Sequence, residues 1–139
     1  MSSQRRVRVV AALIADPSNP ERFLVQQRLL GGSRALLWEF PGGKVEAGET
    51  DPAALVRECQ EELEVQLQVG RQLWSSVHEY PDLVVELVLY AAVIERGTPQ
   101  PLGAAQLRFL TPEQMRQLPF CEADIPLLEA MASGELRTR

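Results

Sequence analysis

Four glutamates, Glu58, Glu61, Glu62 and Glu64, fall within one short segment that carries only Arg57 as a nearby cation. Carboxylates three and four positions apart share one side of a helix and repel by about 0.2–0.5 kcal/mol per pair. The repulsion turns favourable when hard divalent cations supply the missing charge. Magnesium takes oxygen ligands, keeps part of its water and commonly bridges carboxylates to phosphates, so the pattern points to a polyphosphate substrate. Just upstream, Pro41, Gly42 and Gly43 form a turn at which backbone can approach a ligand closely. The Gly42 carbonyl is therefore a candidate metal ligand beside Glu58, Glu61 and Glu62, and Lys44 a candidate point charge for a phosphate oxygen. By charge alone, however, such a cluster is more often a solvated face.

These acids need a helix to align them and a sheet to hold the helix. Thr50 or Asp51 can cap the helix, Pro52 suits its first turn, and Leu55, Val56, Cys59 and Leu63 recur at helical spacing as the buried stripe. Upstream, RVRVVAALIA and RFLVQQR read as a hairpin across the proline-containing DPSNPE, followed by the short apolar piece LLWEF. Downstream come strands in LQVGRQLWSSVHEY and DLVVELVLYAAVI, a loop from Gly97 to Gly103, a strand in QLRFLT, and helical pieces from Pro112 and Ala123. Mixed strands and helices in this order predict an α/β (α+β) fold: a mixed β-sheet with helices on both faces, an α/β/α sandwich.

The 139 residues, 45% of them apolar, suffice for one core, so residues 1–139 are expected to form one domain. A formal charge of −5 with no basic stripe argues against a nucleic acid polymer as partner. The longest apolar run, LVVELVLYAAVI, contains Glu86 and falls short of the roughly 20 residues that span a bilayer, so no membrane association is expected. The first residues read as a strand rather than a signal peptide, and Cys59 and Cys121 are too few for a disulfide framework or a zinc site. A cytoplasmic location fits best.

Spacing distinguishes this cluster from a solvated face. Gly43, five residues, Glu49, seven residues, then Arg57, Glu58, apolar Cys59, one residue, Glu61, Glu62, one residue, Glu64 and apolar Val65 resembles the Nudix box. One position departs: the family's glycine is Glu64 here. A non-glycine residue costs about 1–2 kcal/mol in the left-handed conformation used there, so an altered helix exit is expected, with the metal ligands one turn earlier undisturbed. The resemblance implies hydrolysis of a nucleoside diphosphate linked to another group, by metal-activated water attacking phosphorus. It assigns Glu58, Glu61 and Glu62 to magnesium, with manganese as the alternative ion, and Glu58 or Glu61 to proton abstraction. Arg57 would orient Glu49 through a salt bridge. The single histidine, His78, is expected to be a strand residue at the edge of the site.

The resemblance extends to the MutT-type and bacterial CTP pyrophosphohydrolase branches through LLWEFPGGKVEAGET and FCEADIPLLEAM. It implies that Asp124 reads the nucleobase edge, with Tyr80 by the same pocket and Arg28 on a substrate phosphate, and Phe40 is a candidate to stack on the base or wall its pocket. An ionised Asp124 would favour an amino edge such as that of cytosine, a protonated one a keto edge such as that of 8-oxoguanine. A helix N-cap is the alternative role for Asp124, a core position that for Phe40, and an ordinary surface charge that for Arg28. Many relatives carry an acid in the loop before the late strand, but the aligned residue is Gly103, and no Asp or Glu occurs between Gly97 and Phe109. The implied activity is conversion of a nucleoside triphosphate to monophosphate and pyrophosphate, by a monomer or homodimer. Hydrolysis of a nucleoside diphosphate-linked sugar or dinucleotide, and nucleotide sensing without turnover, are the alternatives.

Overall fold

The computed structural model describes residues 5–136. Strands β1 (Arg6–Asp16) and β2 (Asn19–Gln27) lead to two short strands, β3 (Trp38–Glu39) and β4 (Gly42–Lys44), and then to helix α1 (Asp51–Leu63). Strands β5 (Gln66–Glu79), β6 (Val84–Arg96) and β7 (Gln106–Leu110) follow, then α2 (Pro112–Met115), a 3-10 turn (Glu122–Asp124) and α3 (Ile125–Ala132). The sheet order is β3-β2-β1-β6-β5, with β4 added to β1 and β7 to β2. β1 runs parallel to β6 and the other strand pairs are antiparallel, so the sheet is mixed, as expected.

Strand β1 is buried on both faces, which is why its sequence is a nearly unbroken apolar run. Val10, Ala12 and Ile14 pack toward α1 with Leu55, Cys59 and Leu63. The alternate residues Ala11 and Leu13 pack with Met115, Leu127 and Met131 of α2 and α3. Helices thus cover both faces, giving the α/β/α layering.

Two local expectations are corrected. The β1–β2 hairpin is paired only at its closed end, Ala15 with Phe23 and Asp16 with Asn19, because β2 then diverges to pair with β3 and β7. The turn at Gly42 and Gly43 is also a strand, β4, bonded to Val9–Ala11. A Cβ on Gly42, whose φ is 153°, would collide with the Val10 carbonyl oxygen. Only glycine lets the cleft floor lie this close to the central strand.

Helix α1 begins at Thr50, whose hydroxyl accepts from the Ala53 N–H at 3.2 Å. Asp51 is not the cap: it receives the Arg8 guanidinium at 2.7 Å and the Tyr90 hydroxyl at 2.8 Å. The helix exit is not altered as expected. Glu64 occupies the left-handed conformation itself, at φ 58° and ψ 39°. Its N–H donates to the Gln60 carbonyl at 3.2 Å, and the Val65 N–H reaches Cys59 at 3.5 Å. The loop of residues 97–103 supplies further donors, Gln100 N–H to the Leu63 carbonyl at 2.9 Å and Leu102 and Gly103 N–H to the Glu62 carbonyl at 3.0 and 3.1 Å. With Val65 buried beside it, this geometry is over-determined and holds a residue that would otherwise avoid it. Among the described residues no helix is long and apolar enough to cross a membrane.

Candidate active site

Arg57 organises the acid cluster. Its Nε and Nη2 grip Glu49 at 2.7 and 3.0 Å, Nη1 donates to Glu58 at 3.0 Å and Glu61 at 3.3 Å, and Nη2 also reaches the Lys44 carbonyl at 3.1 Å. The salt bridge expected between Arg57 and Glu49 is therefore present as a two-point fork. It holds the Glu49 carboxyl down at about 2, helped by the Glu46 backbone N–H. Helix α1 and strand β4 meet through this residue.

The acids themselves divide. Glu61 is mostly exposed and directed to Arg57. Glu58 lies against the backbone at Gly43, where a Cβ would collide with its carboxylate. Burial raises Glu58 above the usual carboxylate range, against the pull of Arg57. Burial pushes Glu62 up to about 7, with Glu58, Glu39 and Glu61 adding repulsion and Gln26 opposing it. Among the described residues no three His, Cys, Asp or Glu side chains converge as a ready-made metal cage. The donor set nonetheless fits a hard dication: half-buried carboxylates with too little positive charge among them, beside a backbone cradle kept open by glycine. Glu58, Glu62, Gly42 and Gly43 line one cleft of about 580 Å3, together with Arg28, Glu39 and Lys44.

A second cavity of about 240 Å3 shares Arg28, Glu39, Phe40 and Lys44 with the first and adds Arg34, Tyr80, Cys121 and Asp124. Asp124 is 5% exposed. Burial holds its carboxyl well above the ordinary range, Glu39 reinforces this and Arg28 opposes it. The alternative role of Asp124 as a helix cap does not hold: it sits at φ −88°, ψ −14° and makes no side-chain cap bond. Capping by a side chain needs an extended backbone at that residue. Phe40 is both core and wall, packed on Phe120 with ring centroids 6.1 Å apart. A further cavity of about 610 Å3, among Phe23, Thr111, Met131 and Leu136, shares no lining residue with these two.

Each expected site residue can thus be placed. Lys44 is exposed at the mouth of both clefts, Tyr80 is buried in the second, and His78 stands on β5 with Nε2 3.1 Å from Glu122. Arg28, just beyond β2, is engaged by Glu39 at 2.9 Å and by the Ser33 carbonyl at 3.0 Å. Sequence reasoning missed Glu39, Gln26 and Arg34. Glu39 accepts from both Arg28 and Gln26, the latter at 3.0 Å, and faces both cavities. Alternation carried the signal: Trp38 and Phe40 are buried, so Glu39 between them points to the opposite face.

Comparison with known proteins identifies the family. The family model described as NUDIX domain matches residues 10–130. The chain is 38% identical over 126 residues to the CTP pyrophosphohydrolase of Escherichia coli (strain K12), covering 91% of each protein. It is 33% identical over 90 residues to the 8-oxo-dGTP diphosphatase of Proteus vulgaris, covering 65% of this chain and 79% of that one. The solution structure of the E. coli ORF135 protein superposes with a TM-score of 0.76 at 36% identity, over 97% of this chain and 94% of the other. Box spacing, fold and relatives agree that this chain belongs to the Nudix hydrolase family.

Proposed function

We propose that the protein is a magnesium-dependent pyrophosphohydrolase that converts a nucleoside triphosphate to the monophosphate and pyrophosphate. The favoured substrates are pyrimidine or oxidised nucleotides. The observation that carries this reading is the shared wall of Arg28, Glu39, Phe40 and Lys44 between an acid-lined cleft and a cavity with a buried carboxyl. A nucleotide seated across that wall has its phosphates beside the acids and its base beside Asp124. The E. coli CTP pyrophosphohydrolase and the P. vulgaris 8-oxo-dGTP diphosphatase support the two substrate classes.

Glu58, Glu61, Glu62 and the Gly42 carbonyl would hold the ion, with manganese as an alternative to magnesium. When bound, the ion stabilises charge on the phosphate oxygens and acidifies attacking water. Glu58 or Glu61 accepts the proton. Arg57 keeps Glu49, Glu58 and Glu61 in register, and Lys44 and Arg28 face the phosphates. A neutral Asp124 offers one donor and one acceptor, a pair that matches N3 and the N4 amino group of cytosine as well as a keto–imide edge. Nucleoside monophosphate release from CTP, dCTP, 8-oxo-dGTP and a nucleoside diphosphate sugar with magnesium is the direct test, with pyrophosphate as co-product of the triphosphates and sugar phosphate as that of the conjugate. Release from the triphosphates is expected, and cleavage confined to the sugar conjugate, or none, would overturn the reading.

A further inference from the structure

The turn that carries Asp124 is held from outside the acid cluster. Its middle residue, Ala123, donates its backbone N–H to the Tyr80 hydroxyl at 3.0 Å in a buried setting. Its first residue, Glu122, meets His78 at 3.1 Å. His78 and Tyr80 are two positions apart at the end of β5, and their rings touch edge to face with centroids 4.5 Å apart. Tyr80 is in turn covered by Arg34, whose guanidinium carbon stands 3.6 Å from the ring centroid while Nη2 reaches Asp82 at 3.0 Å.

Arg34 adopts φ 54° and Leu36 φ 63°, conformations that side chains with a Cβ avoid. The loop enforces them: Arg28 N–H donates to the Leu37 carbonyl at 2.8 Å, Leu36 N–H to the Arg28 carbonyl at 3.1 Å, and Leu37 N–H to the Arg34 carbonyl at 3.2 Å. Strained backbone clusters at ligand sites, and Arg34 lines the second cavity. We propose that Arg34 and Tyr80 are a stacked positioning pair that sets nucleobase selectivity by holding the Glu122–Asp124 turn against the base pocket. The pair itself need not touch the phosphates, and the role rests on the nucleotide reading given above.

Calorimetric binding with magnesium separates the two claims because it needs no turnover. The probes are CMP, 8-oxo-dGMP and the baseless ribose 5-phosphate, titrated into the parent, Tyr80→Phe and Arg34→Gly. Loss of one buried acceptor in Tyr80→Phe is expected to weaken the base-bearing ligands about three- to tenfold and leave ribose 5-phosphate unchanged. Arg34→Gly removes the clamp and the strain together, so selectivity falls while the melting temperature stays within about 3 °C. Equal weakening of all three ligands, no weakening, or a parent that does not distinguish base-bearing from baseless ligands would overturn the pair. A parent that binds selectively but hydrolyses no triphosphate would overturn the proposed function and leave the pair standing.

Discussion

Arg57 binds Glu49, Glu58, Glu61 and a backbone carbonyl with one planar group, a geometry that a lysine's single ammonium cannot reproduce. Arg57→Lys is therefore expected to lower turnover about 10- to 100-fold with an unchanged circular dichroism spectrum. Unchanged kinetics would remove Arg57 from the site. Glu62 gives a second prediction. Its folded value of about 7 lies above the ordinary carboxylate value of about 4.3, so folding favours the neutral form. That contribution is fully present below about pH 4 and is lost as pH rises through about 7. A bound dication favours the charged form, so the gain in melting temperature on adding magnesium should widen from about pH 5 to pH 8. A constant gain would show that Glu62 is remote from the ion. At this scale the sequence was readable where spacing within one helix decides, as for Glu58 and Glu62. Alternation shows which way Glu39 faces but not its partners, Gln26 on β2 and Arg28 just beyond it.

Helix α1 and the loop of residues 97–103 form one unit, since the loop's N–H groups terminate the helix at Glu62 and Leu63. Glu64 places both a Cβ and a negative charge at a left-handed C-terminal position, so Glu64→Gly should stabilise the protein by about 1 kcal/mol. Thermal unfolding would register this as a rise of about 3–4 °C, and a fall would mean that Glu64 has a partner worth more than the strain. Gly103 behaves differently. A Cβ there would lie 2.8 Å from Cγ of Glu62. Gly103→Asp, which introduces an acid into this loop, is expected to displace Glu62 and reduce activity rather than raise it. A more active variant would show that the loop can retreat. The strands and α1 were legible because their periodicity is local. The length of the β1–β2 pairing was not, because β3, β6 and β7 compete for those edges.

Across the whole molecule, the two clefts rest on different layers. The acid cleft is built on α1 and β4, whereas the cavity at Asp124 is closed by the turn that leads into α3 on the opposite face. Magnesium alone should slow amide exchange mainly within residues 42–64, and addition of a nucleoside monophosphate should extend protection to residues 121–125. Simultaneous protection by the ion alone would mean that the layers are already coupled. The layered architecture was readable from the alternation of strand and helix patterns, but the wall shared by the clefts depends on how residues 28–44 fold back on one another. Cys121, which lines the second cavity, has a further consequence. Burial pushes its thiol, like that of Cys59, up to about 12. Both buried thiols are therefore held in the protonated form, which reacts poorly with peroxide. The proposed hydrolysis of oxidised nucleotides would thus continue in the very burst of oxidants that creates such substrates, without a reductant to guard the enzyme.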